Sequence, residues 1–328
     1  MKLRILAILL LLALLLGGCS PSSSYSAMLY DRLDTDIAVT LYTDAGQGKE
    51  LLMLCDRHLA QGELLFSRVD EGAELAGLNQ NGDEAVTVSP ELAALLSRAL
   101  ALAEETGGLF DPTAGILAEL YDIQGTRPLP TGEAVTAALA YTGYRKVCVT
   151  GNLVSRTPGV VLDLGGIAKG YLAQQLVAAL LEAGVPGGVL SLGGNVAVFG
   201  KKTDGSDFRI ALRSPFEGGG TVGVLSLRGT AYVSTSGAYE RYRVDEQGNR
   251  YHHIFDMQTG RPSESDLASV TVVATDGARA DAWSTALFVA GYEEALHLWQ
   301  EAGQSFELVL VRKDGEIYTT PGLSFNPT

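Results

Sequence analysis

Cysteine is scarce in this chain, with three among 328 residues. Cys55 falls in a segment with helical spacing and Cys148 in a strand-like one, while Cys19 follows an N-terminal apolar run. Two cysteines in so long a chain make no disulfide framework, and without histidine or cysteine neighbours at ligand spacing they form no zinc site. We interpret Cys55 and Cys148 as buried small apolar residues and leave open one disulfide between them.

Basic residues are also few, because 24 Lys and Arg stand against 38 Asp and Glu, for a formal charge of −14. Lys2 and Arg4 belong to an expected signal segment, so its removal leaves 22 basic residues and a charge of −16. This balance opposes nucleic-acid binding. A hydrophobic content of 46% supports a packed globule of one large domain or two small ones.

The N-terminus predicts an export signal over residues 1–18. Lys2 and Arg4 precede an apolar run from Ile5 to Leu16, and Gly17-Gly18-Cys19 ends it. This end resembles the bacterial lipoprotein box, which implies cleavage before Cys19 and lipid on its sulfur; an ordinary secretory signal is the alternative. We expect residues 19–28 to form a lipid-anchored flexible tether and residues 29–328 to form one folded unit outside the cytoplasm, anchored to the outer leaflet of the cytoplasmic membrane.

Hydrophobic spacing predicts helices and strands in mixed order. Ser89-Pro90 marks a strong helix start, with a capping hydroxyl followed by a proline in the first turn. The order favours an α/β or α+β fold, with helices covering a largely antiparallel sheet. The predicted helices are 48–66, 90–107, 131–141, 168–183 and 280–298, and the main predicted strands are 35–42, 160–162, 189–192, 196–199, 208–212, 222–227, 231–234, 268–274, 306–311 and 317–320.

A glycine-rich turn follows the predicted strand 160–162. Asp163 closes that strand, and Gly165, Gly166 and Gly170 surround the start of a helix that carries Lys169. Such a turn suits a phosphate bound together with a metal ion, because glycines let the backbone approach an anion and N–H groups at the helix start point toward it. A simple connection between strand and helix is the alternative.

Asp281 and Thr285 stand four residues apart at the start of an apolar helix, so they share one helix face. Two oxygen ligands on one face suit Mg²⁺, which usually shares its coordination shell with phosphates and water. Alternatively, Asp281 complements the helix start and Thr285 bonds back to its own turn.

His252 and His253 lie between a strand-like segment and a turn that ends at Gly260. Adjacent residues of a strand point to opposite faces, so one of the pair faces any site there. A histidine at this place is a candidate general base, since its ordinary pKa lies near neutrality. A purely structural turn is the alternative.

Five separated segments together resemble the ApbE family, the FAD:protein FMN transferases. They cover residues 110–113, 163–170, 234–241, 252–262 and 280–286, and Leu33-Asp34-Thr35 matches the family's opening element. The resemblance runs from about residue 33 to 288. It implies an ApbE-like α+β fold and the Mg²⁺-dependent transfer of the FMN half of FAD to a threonine hydroxyl of an exported or membrane redox protein, with release of AMP.

The resemblance also implies roles for particular residues. His253 matches the histidine that deprotonates the acceptor hydroxyl, and Mg²⁺ is bound by the Gly166 carbonyl, Asp281 and Thr285. Arg241 is a supporting residue. FAD is contacted by Leu33, Leu109, Phe110, Asp111, Asp163, Lys169 and Ile254, with Ser236 in support.

This chain departs from the family pattern at two places. Met257 replaces a common proline after the Asp of the turn near His253, and Ala73-Glu74-Leu75-Ala76 replaces a Ser-Glu-Leu-Ser stretch. An FAD pyrophosphatase with water as acceptor, or a non-catalytic flavin-binding or solute-binding lipoprotein, remains an alternative function.

Overall fold

The computed structural model describes residues 23–82 and 85–328. Its main element is an eight-stranded antiparallel sheet. From one edge to the other, its strands are β1 (Tyr25–Arg32), β2 (Thr35–Leu41), β6 (Gly187–Leu192), β7 (Asn195–Gly200), β10 (Ala231–Gly237), β15 (Leu267–Ala274), β16 (Glu307–Arg312) and β17 (Ile317–Thr319).

Smaller antiparallel sheets surround the main one. They comprise β3 (Val86–Thr87), β4 (Val147–Thr150) and β5 (Leu153–Arg156); β8 (Phe208–Arg213), β9 (Thr221–Leu227) and β18 (Ser324–Pro327); and the pairs β11 (Tyr242–Val244) with β12 (Arg250–His252) and β13 (Phe255–Asp256) with β14 (Arg261–Pro262). The helices are α1 (Ala45–Phe66), α2 (Glu74–Gln80), α3 (Pro90–Glu105), α4 (Gly115–Tyr121), α5 (Gly132–Leu139), α6 (Ala168–Glu182), α7 (Gly277–Ala290) and α8 (Tyr292–Glu301).

The two faces of the main sheet pack against different layers. Along β10 and β15 the side chains alternate, so that Tyr232 and Val272 join the core formed with the helices. Val233 and Val273 join a second core on the other face, with Phe208 and other residues of the β8-β9-β18 sheet. An α+β fold with antiparallel sheets and helices on one face is therefore confirmed.

Short polar side chains cap several helices, and the sequence predicts one of these caps, at Ser89. Ser89 Oγ accepts a hydrogen bond from Leu92 N, with Pro90 as the first helical residue. Asp44 and Asp276 cap α1 and α7 in the same way, through bonds from Gly46 N and Arg279 N. These caps satisfy N–H groups that have no partner within the helix.

The predicted helix 280–298 is two helices. Gly291 separates α7 from α8 and has φ +81°, a left-handed conformation that favours glycine. Apolar spacing continues across Gly291, which is why periodicity alone predicts one helix.

The predicted strand 160–162 belongs to no sheet. The side chain of Asn79, in α2, replaces a neighbouring strand: Nδ2 donates to Leu162 O at 2.8 Å, and Oδ1 accepts from Leu162 N at 2.8 Å. The backbone of Leu162 is thus satisfied without a ladder, and it still leads directly into Asp163.

The expected tether extends too far into the chain. Residues 25–28 belong to β1, where Tyr25 pairs with Leu41 and Met28 pairs with Ala38 of β2. The expected signal peptide and Cys19 lie outside the described residues. No helix within the described ranges is both long enough and apolar enough to cross a membrane.

The interpretation of the two cysteines is half wrong. Cys55 is buried in α1, but Cys148 is exposed because it points away from the core between Val147 and Val149 on β4. Both thiols are free, so they form no disulfide. Burial raises the pKa of Cys55 to about 12.

Candidate functional site

The start of α6 lies directly against the start of α7. A Cβ atom added to Gly170 would stand 2.1 Å from the Gly277 carbonyl oxygen and 2.8 Å from Asp281 Cβ. A Cβ added to Gly277 would stand 2.2 Å from the Gly170 oxygen. Only glycine at both positions allows this approach. Two segments that are more than 100 residues apart in the chain therefore meet at one point.

The Asp281 carboxylate lies at this crossing and is 5% exposed. Its Oδ2 accepts from Gly170 N at 2.9 Å, and its Oδ1 accepts from Ser234 Oγ, in β10, at 3.0 Å. Asp276, not Asp281, caps α7. The alternative role for Asp281 at its own helix start is thus wrong, and the carboxylate instead satisfies an N–H in the first turn of α6.

Thr285 faces the glycine turn. A Cβ added to Gly166 would stand 3.7 Å from Thr285 Oγ1 and 3.2 Å from Phe110 Cε2. Thr285 Oγ1 lies 3.3 Å from Ser236 Oγ, while the bond back to Asp281 O is made by Ser284 Oγ at 2.8 Å. Thr285 therefore lies beside Gly166 and Asp281 beside Gly170, so the shared helix face meets the glycine segment 165–170.

The donor set where this helix face meets the glycine segment fits a hard cation. It offers one carboxylate, hydroxyl groups and the backbone of Gly166, which lies between the Phe110 ring and the Thr285 hydroxyl. The described residues contain no cluster of three or more His, Cys, Asp or Glu that fits a metal ion. A site with a single carboxylate is of the kind that Mg²⁺ uses when substrate phosphates complete its shell.

Asp163 and Lys169 flank the same turn. Asp163 Oδ1 accepts from Gly165 N at 2.7 Å, and its Oδ2 accepts from Arg68 Nε at 3.0 Å. Lys169 Nζ donates to Gly165 O at 3.2 Å. The carboxylate shapes the turn, and the half-buried ammonium adds positive charge beside it.

Hydrogen bonds to the Asp111 carboxylate hold the loop that contains Leu109, Phe110 and Asp111 in place. Asp111 Oδ1 accepts from Thr113 N at 2.8 Å, and Oδ2 accepts from Tyr144 N at 2.8 Å. Burial raises the pKa of Asp111, and these hydrogen bonds oppose only part of that shift. Asp111 thus positions the loop, while half-buried Leu109 lines a depression with Tyr144 and residues 256–258.

The two histidines differ in exposure, since His252, the last residue of β12, is buried and His253, just after the strand, is exposed. His252 Nε2 donates to Ser263 O at 2.9 Å and its Nδ1 accepts from Ile254 N at 3.3 Å, so both nitrogens are used. His253 Nδ1 lies 3.2 Å from Arg241 O. Because a carbonyl only accepts, Nδ1 carries the proton and Nε2 keeps the lone pair that can accept another.

His253 is neutral at physiological pH. Desolvation lowers its pKa to about 4, and the charges of Arg241 and Lys169 act in the same direction, against the hydrogen bond to Arg241 O. The side chain keeps exposed surface. The neutral imidazole keeps a lone pair on Nε2 that can accept a proton, and its lowered pKa makes it a weaker base than an ordinary histidine.

Arg241 connects His253 to the turn between β1 and β2. Its guanidinium lies 3.9 Å from Asp34 Oδ2, and its carbonyl also accepts from His253 N at 3.3 Å. In that turn Leu33 and Asp34 both have positive φ, near +55°, and Leu33 N donates to Glu63 Oε1 at 2.7 Å. The left-handed turn brings Asp34 to Arg241, while Leu33 packs partly buried against the core in which Ile254 is buried.

Sequence reasoning missed the polar partners beneath Asp281. Ser234 and Asn195 contact each other across β7 and β10, and Ser284 bonds Ser236 at 2.8 Å. The sequence does carry a signal for Ser234. Ser234 and Ser236 are two residues apart in one strand, so both side chains point to the face of the sheet that α7 covers. Asn195 carries no such signal, because its pairing is visible only in the folded sheet.

Fold and site together define a class of α+β proteins in which a polar site lies where two helices cross above an antiparallel sheet. The chain belongs to the ApbE family, whose sequence model matches residues 33–310. A protein of Treponema pallidum (strain Nichols), named FAD:protein FMN transferase, is 36% identical over 262 residues, which are 74% of this chain and 72% of that protein.

Solved structures agree with this membership. The ApbE protein of Thermotoga maritima MSB8 superposes with a TM-score of 0.85 at 32% identity, over 91% of this chain and 97% of that one. The flavin transferase ApbE of Vibrio cholerae gives a TM-score of 0.82 at 28% identity, over 92% and 98%. The expected ApbE-like fold is therefore confirmed.

Proposed function

We propose that this chain is an FAD:protein FMN transferase, the activity named for its relative in Treponema pallidum. The observation that supports this most is the meeting of Asp281 and Thr285 with the glycine segment 165–170. In the proposed reaction the acceptor is a threonine hydroxyl of an exported or membrane redox protein, Mg²⁺ is required, and AMP is released.

The bonds of this reaction balance without a further reactant. The threonine oxygen attacks the phosphorus of the FMN half of FAD, and the bond from that phosphorus to the bridging oxygen breaks. AMP leaves with the bridging oxygen, FMN stays on the protein as a phosphoester, and the hydroxyl proton passes to Nε2 of His253 and then to solvent. No redox change occurs.

Residues of this chain supply binding, orientation and the proton acceptor. Asp281, Thr285 and the Gly166 carbonyl would hold Mg²⁺, which when bound supplies positive charge to the diphosphate and its leaving oxygen. Lys169 adds a further cation near the same turn, and Asp163 holds that turn in shape. Leu33 and Leu109, both partly exposed, offer apolar surface for the rings of FAD, whereas Phe110 is 3% exposed and packs beside Gly166. Charge placement of this kind dominates phosphoryl transfer.

The test is a transfer assay with the purified protein, FAD, Mg²⁺ and a candidate acceptor whose target threonine is intact or replaced by valine. Flavin fluorescence that stays on the intact acceptor in a denaturing gel, and is lost with valine or EDTA, supports the proposal. FMN that appears only free in solution would instead indicate an FAD pyrophosphatase. Unchanged FAD, with or without Mg²⁺, would indicate a non-catalytic flavin-binding lipoprotein.

The proposed location follows from the signal-like N-terminus. We propose lipid on Cys19 and attachment to the outer leaflet of the cytoplasmic membrane, which places the site in the compartment of exported acceptors. Metabolic labelling with a fatty acid, compared between the wild-type chain and Cys19→Ala, tests this. Unlabelled wild-type protein in the cytosol would contradict it.

A further inference from the structure

A buried pair of polar side chains lies beneath Asp281. Asn195 and Ser234 stand opposite each other on β7 and β10 and are 4% and 2% exposed. Ser234 Oγ is 2.9 Å from the Asn195 side-chain oxygen and 3.0 Å from Asp281 Oδ1. Within residues 23–82 and 85–328, Asn195 Nδ2 is one of the buried side-chain nitrogens with no hydrogen-bond partner.

A serine hydroxyl has a single proton, so Ser234 can donate to only one of the three oxygens beside it, those of Asn195, Asp281 and, at 3.3 Å, Ser284. Rotating the Asn195 amide by half a turn exchanges its oxygen and nitrogen, an assignment that the hydrogen-bond network itself must decide. In the rotated state Nδ2 donates to Ser234 Oγ, and the Ser234 proton goes to Asp281. This arrangement leaves an orphaned carbonyl in place of an orphaned N–H, and the carbonyl is the less unusual of the two.

We propose that Asn195 and Ser234 form a donor relay that holds the Asp281 carboxylate in the orientation required to bind a divalent cation. Gly170 N fixes the other carboxylate oxygen. Each oxygen thus receives one hydrogen bond from the protein and retains lone-pair capacity for a cation. Asn195 and Ser234 are positioning residues, since they act through Asp281.

This inference rests on the proposed function, because it assumes that Asp281 binds a cation. Partners that orient a metal ligand typically contribute about 10-fold to 100-fold in metal affinity. We therefore expect Ser234→Ala and Asn195→Ala each to weaken cation binding by about 10-fold. The double variant should bind no more weakly than Ser234→Ala, because Asn195 reaches Asp281 only through the hydroxyl.

Thr235→Val is the matched control. Thr235 is the next residue of β10, points to the other face, and bonds Thr271 Oγ1 at 2.9 Å. It loses the same kind of hydroxyl hydrogen bond without touching Asp281. Its cation affinity should equal that of the wild type, even if its thermal stability falls.

The measurement is titration of the metal-free protein with Mn²⁺ alone, followed by electron paramagnetic resonance, with thermal unfolding in EDTA to verify that each variant is folded. Additive losses in the double variant would overturn the relay, as would unchanged Mn²⁺ affinity in folded Ser234→Ala. Wild-type protein that binds no Mn²⁺ would overturn the relay and the cation site together. Wild-type protein that binds Mn²⁺ but transfers no FMN would contradict the proposed function and leave the relay intact.

Discussion

The Asp281 carboxylate accepts a hydrogen bond from the backbone N–H of Gly170 at 2.9 Å. This bond joins the first turn of α6 to α7, so one side chain stabilises the fold and also lies at the proposed cation site. Structural and chemical roles of Asp281 must therefore be separated by experiment.

Two substitutions of Asp281 achieve that separation. Asp281→Ala leaves the buried Gly170 N–H without its acceptor, and we expect a loss of about 1–3 kcal/mol in the free energy of unfolding. Asp281→Asn keeps an acceptor oxygen and should lose less stability, yet it removes the negative charge and should abolish Mg²⁺-dependent transfer. Urea unfolding in EDTA and AMP release measure the two effects.

Asp276→Ala serves as the control for Asp281. Asp276 caps α7 and pairs with Arg98 at 2.7 Å, so it should lose stability while keeping transfer activity. Full Mg²⁺-dependent activity in Asp281→Asn would refute the role of the charge.

The pH dependence of transfer should reflect the lowered pKa of His253. With a pKa of about 4, the imidazole is neutral at pH 5–8, so its rate contribution should fall near pH 4 and not near 6.5. His253→Gln should lower the rate by about 100-fold or more and remove this acid limb. Initial rates measured from pH 4 to 8, in buffers of constant ionic strength, test the expectation.

His297→Gln is the matched variant, since His297 is exposed on α8 and lies 3.7 Å from Glu301. It should leave the pH profile unchanged. An acid limb near pH 6.5 that disappears in His253→Gln would show that the folded protein does not lower this pKa.

The lowered pKa of His253 also makes the stability of the folded protein depend on pH. A histidine whose pKa is lowered by folding favours the neutral form, so its contribution is fully present above the unfolded value near 6.5. That contribution is lost as pH falls from about 6.5 toward 4, because the unfolded chain binds the proton more tightly. Midpoints of thermal unfolding should decline less across this range in His253→Gln than in the wild type.

Substituting alanine for a glycine should destabilise the protein at the crossing of α6 and α7 but stabilise it at an open position in another helix. Gly170→Ala would place a methyl group 2.1 Å from the Gly277 oxygen, so we expect a loss of about 1–3 kcal/mol or failure to fold. Gly77 lies in α2 with open space around it, and Gly77→Ala should gain about 0.5–1 kcal/mol from helix propensity. Urea unfolding compares them; equal stabilities would refute the close crossing.

The two cysteines should differ in reactivity. Cys148 is exposed and should react rapidly with a thiol reagent in the native protein, whereas burial and a pKa of about 12 should protect Cys55 until unfolding. Mass spectrometry of native protein, lacking the residues before position 23, should find one label that is absent in Cys148→Ser. Two labels on the native protein would contradict the burial of Cys55.

Local signals in the sequence predicted much of this fold, because capping and periodicity act over a few residues. Ser89 and Pro90 marked the start of α3 correctly. The strand predicted at 160–162 failed for a nonlocal reason: its backbone bonds go to the side chain of Asn79, more than 80 residues away in the chain. The break at Gly291 was hidden because apolar residues continue on both sides of it.

In the candidate site, too, local features could be predicted from the sequence, whereas contacts between distant segments could not. Four-residue spacing placed Asp281 and Thr285 on one helix face, and the structure sets that face toward Gly166. The partners of Asp281 come from α6 and β10, and no local pattern pairs Gly170 or Ser234 with it. Such contacts depend on how helices pack on the sheet, which a single sequence does not specify.

The short stretch of chain from Cys19 to the end of β1 limits the distance between a lipid anchor on Cys19 and the candidate site. Five residues separate Cys19 from Tyr25, which span at most about 20 Å whatever their conformation. The eight residues of β1 add about 27 Å before the Leu33 turn, which contacts Arg241 beside His253. If Cys19 is lipidated, the end of β1 lies within roughly 50 Å of the bilayer, so the proposed acceptor threonines would lie near the membrane surface.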